Sequence, residues 1–170
     1  IGLNVIQGAA LVNAHPIVAV DLYDSKLEQA LAFGATHTIN ASKVDSQAAL
    51  ADLTGGRGLD AAVDTTGHNE TRQTAFQATS NTGKTIFAGV PFLDDRMTID
   101  SFPLHFGRRV VGSHGGNTRP DVDIPKYLRL YRLGRLKLAE QISHRYRLED
   151  INLAVDVVKK GEALRCIVEM

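Results

Sequence analysis

The 170 residues are 44% hydrophobic and 22% charged, an ordinary globular balance with enough apolar mass for a real core. Lys plus Arg equal Asp plus Glu at 19 each, which excludes the long-range field of a nucleic-acid or anionic-membrane binder. One cysteine, Cys166, excludes an internal disulfide and a cysteine-rich zinc site and fits a reducing, cytoplasmic setting, while no apolar run approaches the roughly 18 residues of a membrane span.

From Leu3 to Ala14, Val5, Ile6, Ala9, Ala10 and Val12 recur at helical spacing, predicting a helix packed on a sheet and stopped by Pro16. Ile17–Val20 is a β-branched run without alternation, the pattern of a parallel strand covered on both faces, and Asp21 ends it. Ser25-Lys26-Leu27-Glu28 reads as a capping box opening a helix that runs to Gly34, an αL terminator. Thr36–Asn40 reads as a strand, Gln47–Leu53 as a helix closed by the Gly55–Gly58 turn, and Leu59–Asp64 as a strand ending in Thr65-Thr66-Gly67. A helix over about 69–80, capped by Asn69, and a strand over Lys84–Val90, stopped by Pro91, follow. This βα alternation predicts an α/β fold with a doubly wound, mostly parallel sheet.

Beyond Phe92, short strands are predicted at Met97–Asp100 and Arg109–Ser113, separated by a helical turn near Pro103. A loop at Gly115–Thr118 then leads into a helix with Asp121 and Asp123 first and Arg129, Arg132 and Arg135 at and beyond its end. Acids first and bases last complement the helix macrodipole, so the arginines read as caps and a solvated face. A helix over about 149–160 ends at Gly161, and Leu164–Met170 supplies a terminal strand. With no repeat or linker, residues 1–170 read as one domain.

A glycine turn running into a helix, followed by a strand ending on an acid, builds a dinucleotide site. Free N–H groups and the helix dipole meet a pyrophosphate, and the acid binds a ribose. Gly2, followed by Leu3, stands where the last glycine of such a fingerprint belongs; the preceding strand and glycines are outside this sequence, which begins on Ile1 and reads as a fragment truncated at its first strand. Asp21 lies 19 positions beyond Gly2, matching the expected interval of about 20. Its carboxylate suits two ribose hydroxyls and repels a 2′-phosphate, favouring NAD over NADP, and Lys26 reaches toward the same ribose. Thr66-Gly67 and Ala88-Gly89-Val90 place glycines at later strand ends, where the backbone must turn or approach something closely. In an open parallel sheet those ends and Asp21 share one crevice, and His68 and His114 lie in loops within reach of its border. The six histidines show no metal-ligand spacing, so no metal site is expected, and no nucleophile–base constellation assigns a catalytic residue.

Ile1-Gly-Leu-Asn-Val-Ile-Gln-Gly-Ala, Ile17-Val-Ala-Val-Asp-Leu, Phe33-Gly-Ala-Thr, Gly55-Gly-Arg-Gly-Leu-Asp, Gly89-Val-Pro, Gly112-Ser-His-Gly-Gly and Gly161-Glu-Ala-Leu-Arg-Cys-Ile together resemble the cofactor-binding half of zinc-type medium-chain alcohol dehydrogenases, over nearly the whole sequence. The resemblance implies a Rossmann domain binding NAD, with Asp21 and Lys26 at the adenosine ribose and Leu22, Thr66 and His68 near the adenine. It places Ala88, Gly89, Val90 and Ser113 along the nicotinamide half and Arg165 against the pyrophosphate. It also implies hydride transfer between an alcohol or aldehyde and NAD in a complete enzyme, whose zinc ligands lie in another domain, and a homodimer through edge strands near 97–100 and 109–113. The family's first strand lies between those near Ile17 and Leu59, so unpaired backbone is expected there, with weak NAD binding and no turnover by this chain alone. Two other readings are a stand-alone, non-catalytic dinucleotide-binding or dimerisation module, and a zinc-free quinone- or enoyl-reductase relative, normally using NADP, which Asp21 argues against.

Overall fold

A computed structural model describes residues 1–170 as two compact units, Ile1–Arg119 and Pro120–Met170. The first runs α1 (Gly2–Leu11), β1 (Val18–Asp21), α2 (Asp24–Ala32), β2 (His37–Asn40), α3 (Ser46–Leu53), β3 (Leu59–Asp64), α4 (Asn69–Ala78), β4 (Thr79–Phe87) and β5 (Arg109–Gly112). Every strand pair is parallel: β1 with β2, and β3 with β4 and β4 with β5. Parallel pairing requires a crossover, and α2 and α4 supply it within the two sheets.

Successive residues of a strand face opposite sides, and β1 uses both. On one side Ile17 and Ala19 pack with Leu27 and Ala30 of α2, and Leu3, Ile6, Ala9 and Ala10 of α1 cover them. On the other, Val18 joins Ile39, Leu50, Ala78 and Leu59. Helices therefore flank β1 on both faces, the doubly wound arrangement read from the alternation. Cover fails only at Val20, which is 40% exposed because neither cluster reaches the carboxyl end of the strand.

The sheet is parted where unpaired backbone was expected. β1 and β3 belong to separate sheets and share no hydrogen-bonded ladder. What joins them is the apolar cluster holding both Val18 and Leu59, together with the start of α1, where a Cβ on Gly2 would stand 3.6 Å from Thr65 Oγ1.

Several local expectations are corrected. The Ser25–Glu28 capping box does not form; α2 opens at Asp24 behind Tyr23 with no side-chain cap. Asp21 Oδ1 instead accepts from the Leu22 and Tyr23 amides at 2.8 and 3.2 Å, turning the chain into the helix early enough that Ser25 lies inside it. Asn69 is not a cap either: His68 holds that position and the Asn69 amide is turned toward Asp95 and Arg72. Met97–Asp100 is not a strand, because β5 pairs with β4 alone and offers that segment no ladder. By contrast α3 is capped as its sequence allows, Asp45 Oδ1 accepting from the Gln47 and Ala48 amides.

The second unit comprises α5 (Pro120–Arg132), β6 (His144–Arg147), α6 (Ile151–Lys159) and β7 (Cys166–Glu169), with β6 and β7 parallel. Strand β6 carried no apolar signal; it is paired with β7 by the parallel backbone ladder from His144–Cys166 to Arg147–Glu169, with an exposed Arg145–Glu169 ion pair at 2.8 Å beside it and the rings of His144 and Tyr146 stacked along the strand. Helix α5 is followed by a left-handed glycine, Gly134, beyond which the Arg135 amide donates to the Leu130 carbonyl at 2.8 Å.

Gly8 lies inside α1 and a Cβ there meets no atom within 4 Å. Gly8→Ala is expected to raise stability by about 0.5–1 kcal/mol through the lost backbone freedom of glycine, read as a higher urea midpoint; an unchanged or lower midpoint would contradict the helix.

Candidate functional site

The carboxyl ends of β3 and β4 are tied together by Asp64, a residue whose importance the sequence reading missed. Asp64 is 3% exposed at the end of β3. A buried carboxylate must be hydrogen-bonded, and this one is. Its Oδ1 accepts from Thr66 N at 3.0 Å and Thr66 Oγ1 at 2.7 Å, and its Oδ2 from Gly67 N at 3.0 Å. Its backbone carbonyl accepts from the Ala88 and Gly89 amides at 2.8 and 3.0 Å, so one residue fixes the strand ends of both β3 and β4. An acid closing an apolar strand just before Thr-Thr-Gly was the available signal.

Thr66 Oγ1 also accepts from His68 N at 3.1 Å and lies 2.7 Å from Thr71 Oγ1, holding the turn onto α4. Gly67, at φ +80°, and Gly89 then cross in contact. A Cβ on Gly67 would stand 2.5 Å from the Val90 carbonyl oxygen, and one on Gly89 would stand 2.6 Å from Thr66 N. Both contacts are with backbone, which cannot swing aside. Glycine is demanded here by close approach, leaving a bare backbone surface at the strand ends, beside which Val90 is exposed. Ser113 completes the row: its amide donates to the Phe87 carbonyl at 2.9 Å and its Oγ accepts from Gly116 N. Thr66, Gly67, His68, Ala88, Gly89, Val90 and Ser113 are thus brought together.

Asp21 ends β1, with one carboxylate oxygen committed to its own turn and Oδ2 left to accept from a ligand. Leu22 is exposed on that turn, and Lys26 Nζ lies 4.9 Å above the Tyr23 ring, one helical turn from Asp21. Nearby, hydrogen bonds from Lys43 Nζ and then Asn40, each at 2.5 Å, hold the Asp24 carboxyl below the usual carboxylate range. This link between β2 and α2 is therefore present at neutral pH and lost only as acid titrates Asp24 through its depressed pKa. Gly2 and Leu3 open α1, where the first amides have no intrahelical acceptor and Ile1 supplies no side-chain cap. His114 is exposed at the start of a short helical turn. Arg165 belongs to the second unit; its backbone bonds with Ser143 and its side chain is exposed.

The donor set fits a dinucleotide: an oriented acid for ribose hydroxyls, helix amides for phosphate, and side-chain-free backbone for a flat ring. It does not fit a metal, since no three His, Cys, Asp or Glu side chains are grouped to hold one.

Gly89→Ala is expected to lower stability by about 1–3 kcal/mol through overpacking, whereas Gly112→Ala, with no atom within 4 Å of its Cβ, should stay near neutral; equal urea midpoints for the two variants would refute the crossing.

Residues 1–132 match the family described as zinc-binding dehydrogenase. The whole chain aligns at 35% identity with alcohol dehydrogenase 2 of Zea mays and at 34% with alcohol dehydrogenase 1 of Pisum sativum, covering 45% of each. Among solved structures, 99% of the chain superposes on 46% of benzyl alcohol dehydrogenase from Acinetobacter calcoaceticus, with a TM-score of 0.93 and 31% identity. An alcohol dehydrogenase zinc-binding domain protein from Burkholderia ambifaria gives a TM-score of 0.92 at 31% identity, again over 99% of this chain and 45% of that one. The chain spans less than half the length of these relatives.

Proposed function

The chain belongs to the zinc-binding dehydrogenase family, and from that premise we propose that residues 1–170 form the NAD-binding domain of an alcohol dehydrogenase that passes hydride between a small alcohol or aldehyde and NAD. The observation that carries the reading is Asp21. It stands at the end of β1 with Oδ1 pinned by two amides, which orients Oδ2 to accept from ribose hydroxyls and sets a negative charge against any 2′-phosphate.

In this reading Asp21 and Lys26 hold the adenosine ribose, and Leu22, Thr66 and His68 border the adenine. Gly2 and Leu3 offer amides to the pyrophosphate. The Gly67–Gly89 crossing, Ala88, Val90 and Ser113 line the nicotinamide half. Bound NAD supplies the hydride acceptor; the chain's own part is to bind it, orient it and keep its ring against bare backbone. The family's zinc finds no ligand set among these residues, and no step is assigned to it here. The alcohol pocket likewise falls to other parts of a longer polypeptide.

We further assign a cytoplasmic location and a homodimer. The dimer reading rests on β5, whose outer edge is unpaired and lies near the exposed Phe102 and Phe106, rather than on a strand at 97–100.

In the complete polypeptide, Asp21→Gly is expected to reduce the NAD-over-NADP ratio of kcat/KM by roughly tenfold, about 1.4 kcal/mol. An unchanged ratio would remove Asp21 from the cofactor site. For the isolated chain the expectation is weak NAD binding without alcohol oxidation; turnover by the isolated chain would refute the division of labour.

A further inference from the structure

We propose that Arg72, acting with Asn69 and Asp95, is a positioning residue that fixes the Val90–Asp95 loop and thereby the nicotinamide side of the crevice. The second half of that statement rests on the dinucleotide reading above.

Arg72 lies in the first turn of α4 and is 7% exposed. Its Nη2 donates to Asn69 Oδ1 and stands 3.7 Å from Asp95 Oδ2, while Asn69 Nδ2 donates to Asp95 Oδ1. The three side chains close a ring between α4 and the loop that follows β4. Asp95 is itself at the close of a turn, its amide donating to the Phe92 carbonyl at 3.0 Å. One residue along α4, Gln73 Nε2 donates to the Thr98 carbonyl at 3.3 Å, so the helix grips the same segment a second time.

Apolar packing does not hold this loop. Val90, Phe92 and Leu93 are 89%, 83% and 100% exposed. The polar ring is therefore what sets its course between the Gly67 contact at Val90 and the Thr98 anchor. A second feature points the same way. Arg72 Nε is buried without a partner, so this cation is imperfectly satisfied where it stands. A buried ion pair of that kind can often be replaced, both partners together, by apolar side chains of similar volume at no loss of stability, although removing one partner alone is destabilising. Fold stability thus gives little reason for an arginine here, whereas a planar fork that reaches both Asn69 and Asp95 gives a geometric one. The loop it fixes starts at Val90, in contact with the Gly67–Gly89 crossing, so a shift of the loop moves the surface on which the nicotinamide half would lie.

The test compares the 170-residue chain with Arg72→Leu, Asp95→Asn and Arg72→Lys. Amide exchange of the Asp95 N–H should quicken by roughly tenfold in Arg72→Leu and in Asp95→Asn, beyond any acceleration in β3 and β4 that follows from the lower urea midpoint expected when one partner of a buried pair is removed. Arg72→Lys, retaining the charge, should recover part of the protection. Unchanged exchange at Asp95, or acceleration there no greater than in β3 and β4, overturns the latch. Binding of NAD and of ADP-ribose is then followed by saturation-transfer NMR at millimolar ligand. Arg72→Leu should weaken NAD by about fivefold and leave ADP-ribose, which lacks the nicotinamide, unchanged. Parallel weakening of both ligands overturns the nicotinamide assignment. If neither ligand binds the unaltered chain, the dinucleotide reading fails for this chain, and the exchange result still decides the latch.

Discussion

The first unit depends on a junction made by side chains rather than by backbone. Its two parallel sheets meet where Val18 of β1 and Leu59 of β3 enter one apolar cluster with Ile39, Leu50 and Ala78. A hydrogen-bonded ladder would fix register and spacing residue by residue; an apolar contact fixes only proximity. Yet the proposed dinucleotide site needs both sides of this junction, because Asp21 ends a strand on one side and the Thr66–His68 turn ends a strand on the other. The separation between Asp21 and the Gly67–Gly89 crossing is therefore set by packing beneath them and by α1, whose first residue lies against Thr65.

Each side is internally firm. On one, Asp24 links α2 to Asn40 and Lys43, and the Asp21 carboxylate shapes its own turn. On the other, the buried Asp64 binds β3 to β4, and the glycine crossing leaves no room for adjustment. The chain is thus two rigid half-sites across a soft seam. That arrangement explains how the residues can be suited to a dinucleotide while binding by this chain alone is expected to be weak.

What the sequence made legible follows the range of the forces involved. The βα alternation, the left-handed glycines and the strand-end position of Asp21 are local properties, and they appear where expected. Asp64 was hidden because an acid at a strand end reads as solvated until its amide partners are placed around it. Arg72 was hidden for a related reason: an arginine near the start of a helix signals nothing of a loop 23 residues away. The Ser25–Glu28 box failed because Asp21, three residues ahead of the helix, competed for the turn. Strand β6 escaped because its His-Arg-Tyr-Arg sequence has no apolar alternation, while its pairing with β7 is made by the backbone.

Membership in the zinc-binding dehydrogenase family and the parted sheet meet in one proposal, that the ends of β1, β3 and β4 form a single dinucleotide crevice. The most direct test is an amide chemical-shift map of the isotopically labelled chain with millimolar NAD. The account predicts that the shifts concentrate at Leu22, Thr66, Gly67, His68, Gly89 and Val90, on both sides of the seam. Shifts confined to one side, or lying away from these strand ends, would contradict it.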